Sequence, residues 1–197
     1  MQVTDEQKRQ RILAAAAELF AAQPFHKVLL SDVAEAAGVG KGTLYIYFKN
    51  KDDLYLSVLY SGFDQLVAGL QGWLDKDRLG PWEYLEAAVG EVVQFAYRNP
   101  YMFELMRSVR WSDVLGDDRW KSKRSELKAL LESIIRRGIA GGVFCDPHPE
   151  LTARFIPGMV RSVLVEEQGS VDPQTLIDHI LRLVRAALVQ PCEDRDH

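Results

Sequence analysis

The stretch Leu30–Lys49, LSDVAEAAGVGKGTLYIYFK, decides the fold. It reads as two short helices joined by a tight turn. Ser31 is placed to cap the first, because its hydroxyl can accept an orphan backbone N–H. Val33, Ala34 and Ala37 then share one helical face. Gly38 follows where a helix favours a left-handed residue to stop. Val39 can plug the corner, and a second helix is predicted over about Lys41 to Tyr47, with Leu44 and Phe48 turned inward. Ala34 is small, as steeply crossed helices at a short turn require. The pattern is that of a helix-turn-helix, whose second helix enters the major groove of DNA.

An ordinary helical hairpin would share the Ala-x-x-x-Gly spacing, so the flanks carry the weight. Gly42–Leu54, GTLYIYFKNKDDL, resembles the segment that closes the DNA-binding domain of the TetR family of bacterial transcription regulators. The resemblance runs from Arg11 to about Leu59. It includes a leading apolar helix, the Ala/Gly turn, Gly-Thr-Leu-Tyr-x-Tyr-Phe and Asn-Lys-x-x-Leu. Gly40 departs from it, since many members carry Ser there. Gly still caps, at a cost of a few tenths of a kcal/mol, but a hydroxyl that could reach phosphate is lost.

Around this core, Thr4 to Gln7 form a capping box for a first helix running to about Ala22. Ile12, Ala16, Leu19 and Phe20 lie on one face, and Pro24 ends it. Phe25 and Val28 are expected to seal a three-helix head. Asn50 caps a fourth helix, with Asp53 near its positive end. That helix continues to about Trp73, too far for a head of this size, and reads as a rod into the body.

Beyond Gly80 every segment is helical. Pro81 opens one helix, Pro100 another, and a charged loop over Ser112–Asp118 precedes a long helix that Gly138 is expected to cap. Two helices follow, over about Glu150–Glu167 and Asp172–Gln190, the latter with Asp172 as cap and Pro173 at its first position. No strand periodicity or repeat occurs. The expected fold is therefore all-α: a helix-turn-helix head, residues 1–54, joined by a long helix to an effector-binding and dimerisation body, residues 55–197.

Net charge is −4 for 197 residues. The first sixty residues hold seven cations and seven acids, so the acidic excess lies in the body. A neutral head on an acidic body is compatible with DNA, because phosphates respond to local charge. The start is polar throughout and reads as no signal peptide. Charged residues interrupt every apolar run, so no membrane span is expected. Cys145 and Cys192 are expected as free thiols of a cytoplasmic protein. Cys145-x-x-His148 lacks a second ligand pair, and neither metal nor cofactor is expected. No triad, phosphate loop or facing carboxylate pair supports catalysis.

The recognition helix should present Lys41, Gly42, Thr43, Tyr45 and Ile46, with Lys41 and Thr43 able to reach base edges or phosphate. The family resemblance implies phosphate contacts at Ser31, Tyr47 and Lys51, and Gly42 lets DNA approach. It also implies a homodimer on a pseudo-palindromic operator, most often repressing, released by a small apolar effector.

Phe155, Val160, Val163, Leu176, Ile177, Ile180, Leu181, Val184 and Leu188 cover the last two helices and are the expected dimer surface. The expected effector site gathers Tyr101, Met102, Met106, Trp111, Trp120, Phe155 and Met159, with Pro157 opening space. Arg107, Arg110 and Arg161 would favour an anion if they faced inward, though surface placement suits them better. The competing reading is a DNA-bound protein whose body holds a protein partner and no small molecule. An enclosed cavity would favour the regulator, a filled core with an exposed apolar patch the alternative.

Overall fold

The computed structural model describes residues 4–74, 79–100, 118–167 and 170–189. Within them the chain forms eight α-helices and no strand: α1 Asp5–Ala22, α2 Leu30–Ala36, α3 Lys41–Tyr47, α4 Lys51–Leu74, α5 Pro81–Arg98, α6 Asp118–Ala140, α7 Pro149–Glu167 and α8 Pro173–Leu188. A short 3-10 turn, Phe25–Lys27, links α1 to α2.

The predicted caps form at α1, α4 and α8. Thr4 Oγ1 accepts from the Gln7 N–H at 3.2 Å, and the Thr4 N–H donates back to Gln7 at 2.9 Å. Asn50 accepts from the Asp53 N–H at 2.8 Å. Asp172 accepts from the N–H groups of Gln174 and Thr175 at 3.0 and 3.2 Å. Two expectations fail. Helix α2 begins at Leu30 with Leu29 as its cap residue. Ser31 therefore lies inside the helix, where its hydroxyl donates to Asp32. Gly138 does not end α6; it is buried within the helix, and a Cβ there would fall 2.0 Å from the Phe144 ring. The left-handed residue that ends α6 is Gly142, with φ +66°.

Both Gly-ended helices close identically. After α2, Gly38 has φ +62°, its N–H donates to Glu35, and the Val39 N–H donates to Ala34. After α6, Gly142 donates to Ile139 and Val143 to Gly138. In each, two carbonyls of the last turn find partners and the chain turns sharply.

Helix α4 runs unbroken across position 54 and belongs to both halves. Its first turns pack on the head, where Tyr55 meets Phe20 at 4.7 Å and Phe25 at 4.9 Å between ring centroids. Its later turns bury Phe63, Leu66 and Leu70 against α5 and α6. Helix α5 is the centre of the body, packed against α4, α6, α7 and α8. Cys145 is a half-cystine and not the expected free thiol; Cys192 lies outside the described residues. No helix among the described residues is long and apolar enough to cross a membrane.

Candidate DNA-binding head and ligand cleft

Leu44 and Phe48 are fully buried, and this fixes which side of α3 faces outward. Ile46 is 79 % exposed and Tyr45 49 %. Lys41 and Gly42 are exposed, and Thr43 is half-buried. A Cβ on Gly42 would meet nothing within 4 Å, so this part of the helix is bare backbone open to an approaching surface. Among the described residues nothing pairs with the ammonium groups of Lys27, Lys41 or Lys49. Lys49 was not singled out from sequence, because position alone does not show which of the head's lysines are used internally.

Three of the anticipated phosphate contacts have protein partners. The Ser31 hydroxyl donates to the Asp32 carboxylate at 3.1 Å. The Tyr47 hydroxyl donates to Asp5 at 3.1 Å, tying α3 to the start of α1. Burial and then the Asp5 carboxylate raise the Tyr47 pKa above its ordinary value, so the phenol stays neutral and a donor. Lys51 turns inward. Its ammonium donates to the carbonyls of Phe25 at 2.8 Å and Val28 at 3.0 Å, and lies 4.4 Å from the Phe25 ring centroid. Arg11 is also internal, donating to the Ala37 carbonyl at 2.5 Å beneath the helix-turn-helix corner.

In the body, α4, α5, α6 and α7 surround a cleft of about 760 Å³. Phe63, Leu66, Val92, Phe95, Trp120 and Val160 supply its apolar wall. Phe63 stands edge-on to Trp120 at 4.8 Å and to Phe95 at 5.4 Å. The lining also carries Lys121, Arg124, Lys128, Arg154 and Arg161, and among the described residues no carboxylate. Lys121 pairs with Asp118 and Lys128 with Glu132. Among the described residues nothing pairs with Arg124, Arg154 or Arg161.

Of the expected effector residues, Trp120 lines this cleft. Tyr101, Met102, Met106 and Trp111 lie outside the described residues, as do Arg107 and Arg110. Phe155 and Met159 are absent from the lining. Ala153, Arg154, Pro157, Gly158, Val160 and Arg161 turn α7 towards the cleft, and Phe155, two positions from Pro157, falls on the far side at 59 % exposure. Of the cations in this lining the sequence singles out Arg161 alone; Lys121, Arg124 and Lys128 on α6 and Arg154 on α7 are not distinguished by spacing, which does not show what a helix face borders.

The expected dimer surface divides in two. Val160, Leu176, Ile177, Ile180, Val184 and Leu188 are buried inside this subunit, mostly against its own α5 and α7. They face the core and are not open to a partner. Val163 and Leu181 are half-buried, and Phe155 is exposed. The large apolar groups left outward on these helices are Leu151, Phe155 and Leu183, with Val189 just beyond.

Residues 12–58 match the family described as Bacterial regulatory proteins, tetR family, and residues 78–188 match Tetracyclin repressor-like, C-terminal domain. A transcriptional repressor, KstR of Mycolicibacterium smegmatis, is 29 % identical over 192 residues, 94 % of this chain and 90 % of that protein. The transcriptional activator FasR of the same species is 38 % identical over 66 residues, 34 % of this chain and 30 % of its own length. A solved structure of FadR from Bacillus subtilis in complex with stearoyl-CoA shares the fold, with TM-score 0.71 and 21 % identity, covering 89 % of this chain and 96 % of that one. The open outer face of α3, the corner closed by Gly38 and the matches across head and body lead to one conclusion: the chain belongs to the TetR family of bacterial transcriptional regulators.

Proposed function

We propose that this regulator binds operator DNA as a homodimer, acts as a repressor, and is released by an acyl-CoA thioester held in the body cleft. The cleft carries the effector reading. An apolar wall together with three guanidinium groups that no described residue pairs suits a ligand that is apolar at one end and multiply anionic at the other. A phosphate binds such forks with paired hydrogen bonds. A purely apolar effector would leave the arginines without purpose. FadR, solved with stearoyl-CoA, supports the class by analogy of fold.

Tyr45, Ile46 and Lys41 would meet base edges, and Lys27 and Lys49 the phosphates beside them. The division into a head, residues 1–54, and a body, residues 55–197, follows the use of α4, whose first turns belong to the head and later turns to the body. Leu151, Phe155 and Leu183 would pack against a second copy. Ligand in the cleft touches Phe63 and Leu66 of α4 directly. A shift of that helix changes the separation of the two recognition helices, which must match about 34–36 Å or a multiple. Operator binding places this work in the cytoplasm.

The test is anisotropy of a labelled operator, obtained by selection from random duplexes, titrated with protein and with decanoyl-CoA, palmitoyl-CoA, free CoA or palmitate. The thioesters should weaken DNA binding at least tenfold, and Arg124→Ala with Arg161→Ala should remove the response. Equal DNA affinity with and without every thioester would sink the effector assignment.

A further inference from the structure

A second cavity, of about 410 Å³, lies where the head meets the body. Arg9 and Gln10 of α1 and Arg119 of α6 line it. Ser57, Tyr60, Ser61, Asp64, Gln65 and Ala68 of α4 complete the described lining. Among the described residues, Ala68 is the single aliphatic member of that lining. Among the described residues the cavity shares no lining residue with the body cleft.

Its polar groups are largely uncommitted. Among the described residues nothing hydrogen-bonds or ion-pairs with the side chains of Arg9, Ser57, Ser61, Gln65 or Arg119. The two guanidinium groups rest on rings, Arg119 4.3 Å from the Tyr60 centroid and Arg9 5.8 Å from that of Phe48. Such stacking orients a guanidinium and leaves its N–H donors free. Ser57 is more than nine-tenths buried, and a hydroxyl so placed ordinarily has a partner. The one carboxylate among the described lining residues, Asp64, is already paired with Lys123 at 2.5 Å. The described lining therefore presents two positive charges and several hydroxyl and amide donors, with no uncompensated negative charge among the described residues.

We propose that this cavity is a second ligand site, for a compact oxyanion of at least two negative charges, such as a phosphate ester or a small dicarboxylate. Arg9 and Arg119 hold the anion, and Ser57, Ser61 and Gln65 donate to it. The volume falls within the range of small-molecule sites. Because Arg9 belongs to the head and Arg119 to the body, the occupant ties the two together across α4.

The experiment is calorimetric titration of the full-length protein with inorganic phosphate, pyrophosphate, AMP and succinate, against sodium chloride at matched ionic strength. At least one oxyanion should bind saturably, with a dissociation constant of about 1 mM or tighter. Pyrophosphate or AMP as the better ligand names the phosphate class, and succinate names the dicarboxylate class. Arg119→Ala should weaken binding at least tenfold, and so should Ser57→Val, which fills the cavity with apolar volume and keeps both arginines. Arg98→Ala, on the exposed end of α5, should change nothing. Circular dichroism establishes that each variant is folded. No saturable binding by any probe overturns the proposal, as does equal affinity in folded Arg119→Ala and Ser57→Val.

Discussion

The ammonium of Lys51 lies 2.8 Å from the backbone carbonyl of Phe25, across the junction of α4 and the turn after α1. The same group reaches the Val28 carbonyl at 3.0 Å and covers the Phe25 ring. The lysine thus satisfies two carbonyls of a turn too short to satisfy them itself. Its fixed charge acts as an internal staple, and the Asn-Lys pair that closes the head is structural at its second residue. Lys51→Met keeps the stem and removes the donor. The head should lose about 1.5–3 kcal/mol, the range for a hydrogen bond to a charged group, read as a lower denaturation midpoint. The salt dependence of DNA binding should stay the same. A slope reduced by about one, with an unchanged midpoint, would instead assign Lys51 to a phosphate.

Tyr45 and Ile46 are the exposed large apolar side chains on α3. Each alanine variant should leave melting unaltered, since neither supports the buried face made by Leu44 and Phe48. Each lost base contact should cost about 1–3 kcal/mol on the preferred duplex, with little change on a scrambled one. Paired titrations at one salt concentration measure this. Proportional losses on both duplexes would make the residue a positioning contact.

Phe155 and Leu183 face outward on adjacent helices, while Ile180 and Val184 of α8 face inward. Phe155→Asp with Leu183→Asp should give a folded monomer in light scattering, because the charges meet only the partner. Ile180→Asp should instead unfold the body, because it buries a charge without a partner. A double variant that remains dimeric would move the interface elsewhere.

Asp172 caps α8, and its pKa is lowered, first by the Thr175 hydroxyl and then by the Thr175 and Gln174 N–H groups and its own N–H, against the smaller opposing effect of burial. A carboxylate depressed on folding adds stability that is full above its ordinary value of 3.8 and fades as pH falls through the lower folded value. Asp172→Asn keeps a capping oxygen and cannot titrate. Its melting temperature should match that of the parent in acid and fall below it at neutral pH. Parallel curves for the two proteins from pH 2 to 7 would rule out this source of acid sensitivity.

Local interactions made the helix-turn-helix readable. Gly38 after a small-residue face, Thr4 with Gln7, and Asn50 with Asp53 act within a few residues of themselves, so their order in the chain is their order in space. Gly138 shows the limit of that logic. It is the stop expected from sequence, and only the packing of Phe144 onto it leaves the left-handed position to Gly142, four residues on. The apolar faces of α7 and α8 were legible as buried. Which residues are buried by the subunit itself and which wait for a partner was not, because periodicity gives the angle of a face and not its neighbour. The same holds for charge. Lys51, Lys49, Arg11 and Arg124 are equivalent cations along the chain. Tertiary structure spends two of them on backbone carbonyls, leaves one facing solvent and turns one into a cleft, because a charge is used by what the fold brings within about 3 Å of it.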